Sequence, residues 1–143
     1  MVLRNMIGTS TLGLAFEELG LSKSQYVEDF IDDDGLEPKW SISLLDEPIE
    51  FFLNIERKVV TAFISSRINI ENLIGCSTLS SKEEIISLNG MPSKQGHEFV
   101  DEFIGSQGAW IRYDYPTYCL HIQFYYGKLG VRMVTLMSAG HAP

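Results

Sequence analysis

Between Tyr118 and Tyr126 the chain alternates two sets of side chains. Tyr118, Leu120, Ile122, Phe124 and Tyr126 fall on one face of an extended strand, and Cys119, His121, Gln123 and Tyr125 on the other. A period of two fits a half-buried β-strand and no helix, so this run commits the chain to a sheet with one apolar face. The same period governs Trp40-Ser41-Ile42-Ser43-Leu44, and it returns where Ile49, Phe51, Leu53 and Ile55 alternate with Glu50, Phe52, Asn54 and Glu56. A turn at Glu56-Arg57 leads into a β-branched, apolar stretch over 58–65. That is strand, turn, strand, and it predicts three antiparallel strands in succession. Later in the chain, residues 110–115, the 118–126 run and residues 131–137 are separated by turns at Pro116-Thr117 and Gly127-Lys128-Leu129-Gly130. They predict a second strand meander.

Helical spacing occurs elsewhere. Leu12, Phe16 and Leu19 recur on one helix face, with Gly20 as a stop. Ser22-Lys23-Ser24-Gln25 has the capping-box pattern and predicts a short helix with Tyr26, Val27, Phe30 and Ile31 facing the core. Asp32-Asp33-Asp34-Gly35 breaks that helix, and Pro38 prevents its resumption. A second box, Ser80-Ser81-Lys82-Glu83, opens a helix with Ile85, Ile86 and Leu88 on its apolar side, stopped by Asn89-Gly90 and Met91-Pro92. Residues 93 to about 108 read as a polar loop, and the tail from residue 138 is expected to fray. The resulting fold class is α+β: a mainly antiparallel sheet built from two strand meanders, with N-terminal helices and one central helix packed on one face. No repeat or low-complexity linker divides residues 1–143, so a single domain is expected.

The chain has 143 residues, enough to bury about two thirds of its unfolded surface without staples. With 19 acids against 11 bases it carries a formal charge of −8. The acidity is lopsided: residues 1–75 hold 13 acids and 6 bases, whereas residues 76–143 hold 6 and 5. So acidic a chain is poorly suited to neutralising phosphates, which argues against nucleic acid as a partner. It is suited to meeting a basic protein, because charge sets encounter rate and specificity. Two cysteines, Cys76 and Cys119, do not make a disulfide framework, and a reduced, cytoplasmic protein is the simpler expectation. No run of about 18 apolar residues occurs, so no membrane-spanning helix is expected. Arg4 followed by the apolar stretch over 7–16 imitates a signal peptide faintly. Glu17 and Glu18 follow at once and no small-x-small cleavage site is placed for it, so this stretch reads as a helix start.

Candidate chemistry is sparse. Asp32-Asp33-Asp34-Gly35, with Glu28, Asp29 and Glu37, is the most charged segment. It fails as a calcium loop: with Gly35 in the sixth position, the first would be Phe30 and the twelfth Ser41, neither a carboxylate. It remains either a solvated turn or an acidic patch for a basic protein. Cys119 and His121 share a strand face, as a nucleophile and its base or two metal ligands could. Neither His97, His141 nor Cys76 is spaced to complete a zinc set, and an ordinary mixed face explains the pair equally well. Neither a nucleophile elbow nor a phosphate-binding glycine loop is present. No metal or cofactor is therefore expected. The aromatic cluster Trp110, Tyr113, Tyr115, Tyr118, Phe124, Tyr125 and Tyr126 reads as core and cross-strand pairing, with tyrosines available as interface anchors.

The capped helix at Ser80-Ser81-Lys82-Glu83 ends in Gly90-Met91-Pro92-Ser93. After it come Trp110-Ile111-Arg112-Tyr113-Asp114-Tyr115, then Tyr118-Cys119-Leu120-His121-Ile122-Gln123-Phe124, then Val134-Thr135-Leu136-Met137. Over roughly residues 40–137 this arrangement resembles the small acidic immunity proteins of bacterial contact-dependent growth inhibition and other polymorphic toxin systems. The resemblance implies a non-enzymatic cytoplasmic inhibitor. It would bind one cognate basic toxin domain, commonly a nuclease, and block its active site or substrate surface. Such families share no toxin-contacting motif, so the contact residues are chosen from this chain's own chemistry. Asp29, Asp32, Asp33, Asp34 and Glu37 are the expected electrostatic contact, with Tyr113, Tyr115 and Tyr125 as anchors. A strand edge could also accept a segment of the partner by β-augmentation. The helix followed by Gly90-Met91-Pro92 resembles, as an alternative, the small α+β domains of envelope-assembly lipoproteins, although this chain departs from their pattern and neither a signal peptide nor a lipidated cysteine near its start is expected.

Overall fold

Residues 7–8, 11–21, 23–32 and 35–139 are described by the computed structural model. In chain order they form α1 (Leu12–Glu18), β1 (Tyr26–Ile31), β2 (Lys39–Leu44), β3 (Ile49–Leu53) and β4 (Val59–Ile64). Two helices follow, α2 (Arg67–Ile74) and α3 (Lys82–Asn89). Then come β5 (Lys94–Gly96), β6 (Phe99–Asp101), β7 (Gly105–Gln107), β8 (Trp110–Asp114), β9 (Tyr118–Phe124) and β10 (Val131–Ser138). Eight strands make one antiparallel sheet in the order β1-β2-β3-β4-β10-β9-β8-β5, and β6 and β7 form a separate hairpin. The two meanders are thus halves of one sheet, joined where β10 pairs with β4.

The register explains the core. Ile42 lies opposite Phe51, Phe51 opposite Ala62, Ala62 opposite Leu136, Leu136 opposite Leu120, and Leu120 opposite Tyr113. Because side chains alternate across a strand, this whole row points to one face, and every member is buried. All three helices cover that face: Ala15 and Phe16 of α1, Ile70, Leu73 and Ile74 of α2, and Ile85 of α3 join the same apolar cluster. The Phe16 ring sits 5.8 Å from that of Phe51, and the Tyr113 hydroxyl donates to the Gly90 carbonyl just beyond α3 at 2.8 Å. One residue out of phase, Ser43, Glu50, Phe63, Thr135, His121, Arg112 and Lys94 line up across the opposite face.

The α+β class and both meanders agree with expectation, and four local readings change. Residues 26–31 are strand β1, not a helix. Their apolar positions 26, 27, 30 and 31 follow helical spacing, and pairing with β2 along all six residues overrides it; of the capping box expected before them, Ser22 lies outside the described residues. β3 ends at Leu53 rather than Ile55, because the Asn54 side chain accepts from the Glu56 and Lys58 amides at 3.1 and 2.9 Å and Arg57 takes a left-handed φ of 63°. The capping box of α3 sits one residue later than expected: the Ser81 hydroxyl accepts from the Glu84 amide, and the Glu84 carboxylate from the Ser81 amide, both at 3.1 Å. Finally, the expected polar loop over 93–108 contains β5 and the β6–β7 hairpin. Helix α2 was not anticipated at all, so among the described residues one N-terminal helix and two central ones stand where N-terminal helices and one central helix were expected.

Candidate functional site

The described part of the acidic segment, Glu28, Asp29, Asp32 and Glu37, lies at one edge of the large sheet. Among the described residues β1 pairs only with β2; Tyr26, Val27, Glu28, Asp29 and Phe30 are all exposed. The Gln25 carbonyl accepts from the Leu45 amide at 3.0 Å, which turns the backbone groups of odd-numbered β1 residues toward β2. Alternation then leaves the N–H and C=O groups of Tyr26, Glu28 and Phe30 at the open edge. Glu28 is ion-paired with Arg57, whose guanidinium also lies 4.6 Å over the Trp40 ring. Asp29, Asp32 and Glu37 are exposed around that edge. Asp33 and Asp34 lie outside the described residues.

The tyrosines do not join this patch. Tyr113 is 5% exposed and bonded to Gly90, and burial raises its hydroxyl pKa; the expected anchor is a core residue, because the core row runs through it. Tyr115, partly exposed beyond β8, stacks on Tyr118 with ring centroids 4.7 Å apart. Tyr125, beyond β9, carries the Lys128 ammonium 4.3 Å from its ring centroid. Six strand spacings separate β1 from β8, roughly 29 Å at about 4.8 Å each. A single contact through both the acidic edge and the tyrosines would have to span the sheet.

On the face away from the helices, Arg112, Asp114, Cys119 and His121 are brought together. The Arg112 guanidinium meets the Asp114 carboxylate, Nε to Oδ1 at 2.8 Å. The His121 ring meets Trp110 edge-on at 5.2 Å. Cys119 is 2% exposed; burial raises its thiol pKa, and the Asp114 carboxylate adds to that against the opposing pull of Arg112. A nucleophilic cysteine needs the opposite shift and access to substrate. Among the described residues no group of three His, Cys, Asp or Glu side chains is placed to hold a metal, and none of the helices is long and apolar enough to cross a membrane. Burial and the neighbouring Arg112 charge lower the His121 pKa. The native state therefore binds fewer protons there than the unfolded chain. Stability due to His121 is complete above about pH 6.5, its unfolded pKa, and is lost as pH falls through the folded value. Unfolding by urea at pH 7.5 and 5.5 should show a smaller acid loss in His121→Gln than in the parent; equal losses would assign the acid sensitivity elsewhere.

The β6–β7 hairpin escaped sequence reasoning. It leans beside the outer face, where Phe99 and Ile104 line a cleft with Trp110, His121, Gln123 and Arg132. Phe103 at its tip is 94% exposed, the highest of the exposed large apolar residues. Its signal was present: two apolar pairs, Phe99-Val100 and Phe103-Ile104, flank Asp101-Glu102, with Gly105 as turn residue.

Comparison with family models, curated proteins and solved structures finds no match to this chain.

Proposed function

We propose that this chain is an immunity protein that binds and neutralises a basic toxin domain, of which a nuclease is the favoured kind. The observation that carries the reading is the open acidic edge. Among the described residues β1 is paired along one side only, and Asp29, Asp32 and Glu37 surround its other side in a chain of net charge −8. A nuclease domain must hold phosphates and so tends to be basic. An acidic inhibitor is steered toward the same surface and covers it. The inhibition is steric and electrostatic and requires no reaction by this chain. In this reading the complex forms in the cytoplasm.

The test is a pull-down at low and moderate salt with the C-terminal domain encoded by the gene immediately upstream, followed by association kinetics. A roughly one-to-one complex with a domain that is toxic alone is expected. Reversing two charges, Asp29→Lys with Asp32→Lys, should slow association at low salt about tenfold and flatten its salt dependence, with the dissociation rate changed less. Kinetics equal to the parent's would remove the acidic edge from the contact. A complex that never forms would remove the reading.

A further inference from the structure

The β6–β7 hairpin is built to hold an apolar tip away from the body of the protein. Its register, Phe99 to Gln107, Val100 to Ser106 and Asp101 to Gly105, leaves a loop of Glu102, Phe103 and Ile104. The Asp101 carboxylate closes that loop, accepting from the Phe103 amide at 2.7 Å and the Ile104 amide at 3.0 Å. These two bonds also hold the Asp101 carboxyl pKa below the ordinary value. The Gln107 side chain donates to the Ile104 carbonyl at 3.1 Å. Gly105 supplies the left-handed φ of 79° that returns the chain. At the hairpin's foot the Glu98 carboxylate accepts from the Gly127 amide at 3.0 Å, tying it to the loop that carries Tyr125 and Tyr126.

A floppy loop would be free to fold its phenyl ring back onto the protein. Here the turn is closed by side-chain bonds, yet Phe103 points into solvent, with Val100 and Ile104 exposed beside it. Aromatic anchors carry much of the energy of protein interfaces, and a turn already closed by side-chain bonds has little backbone freedom left to lose on binding. We infer that the β6–β7 hairpin is a docking finger that inserts Phe103 and Ile104 into an apolar pocket rimmed by Lys and Arg on the partner protein. The rim follows from charge: residues 98–107 hold Glu98, Asp101 and Glu102 and neither Lys nor Arg. Those carboxylates oppose an anionic bilayer and a second copy of this acidic chain, and they favour a basic partner.

The inference rests on the toxin-inhibitor reading and adds a second contact to it, remote from β1. The probe is the purified toxin domain, titrated against the full chain and its variants. Phe103→Ser should leave thermal unfolding unchanged, since the ring is exposed, while weakening binding at least about thirtyfold, as expected for an interface hot spot. Asp101→Ala should weaken it by less, through a loosened turn, and Asp101→Asn, which keeps the accepting oxygen, should restore most of the affinity. Affinity of Phe103→Ser within threefold of the parent overturns the finger and leaves the inhibitor reading standing. Failure of the parent to bind the domain overturns both. Sedimentation gives a further outcome: a parent that is dimeric at micromolar concentration, with a monomeric Phe103→Ser variant, would assign the tip to a second copy and overturn the inference.

Discussion

Gly108→Ala should lose at least the upper end of the roughly 1–3 kcal/mol that overpacking a fitted site costs. Gly108 links β7 to β8 and passes directly over the end of β9. A Cβ there would lie 1.8 Å from the Phe124 carbonyl oxygen and 2.8 Å from its carbon. Both are backbone atoms, so no rotamer change relieves the overlap. Moving residue 108 outward would strain the neighbouring bond in which the Phe124 amide donates to the Ala109 carbonyl at 2.9 Å. It would also shift the foot of the hairpin. Urea unfolding measures the loss, and a midpoint equal to the parent's would mean the two backbones are not in contact.

Phe51→Ala should cost about 3–5 kcal/mol, the usual range for truncating a fully buried phenylalanine. Its ring is 0% exposed, packs on Phe16, and lies between Ile42 and Ala62 on the neighbouring strands. Against a typical total stability of about 5–15 kcal/mol this is a large fraction, read as a fall in the urea midpoint with an unchanged slope. Phe52→Ala, one residue along, is the control. That ring lies on the other face, edge-on to Phe63 at 5.3 Å and under the Lys39 ammonium at 4.5 Å, partly open to water. It should cost distinctly less, and equal losses would contradict the assignment of faces.

The contrast between Phe51 and Phe52 also marks what could be read in advance. Where one face is buried, a period of two is written into the residues, as in β2, β3 and β9; β4, buried on both faces, was legible as a β-branched, apolar run, and β8 and β10 from the turns that bound them. The pattern failed where burial is slight or the period ambiguous. β1 is exposed on nearly every residue, so no buried stripe distinguished strand from helix. In α2, Ile68 and Ile70 alternate as in a strand, but only Ile70, Leu73 and Ile74 face the core, while Ile68 points to solvent. Composition located the acidic segment; register, which is a property of pairing, placed it at an edge far from the tyrosines. Tyr113 and Tyr115 share a strand face and still differ, because only Tyr113 reaches the row beneath α3.

The strand order has a consequence for how the chain assembles. Among the described residues β10 is the last strand along the chain, yet it lies in the middle of the large sheet and pairs with both β4 and β9. Until residues 131–138 have been synthesised, the strand pairing that joins the two half-sheets cannot form, and β4 and β9 each lack their β10 neighbour. Closing so long a loop is entropically slow, and bare edges invite mispairing with other chains. During translation these strands are therefore most exposed to mispairing just before β10 emerges, and the central seam of the sheet closes only after it.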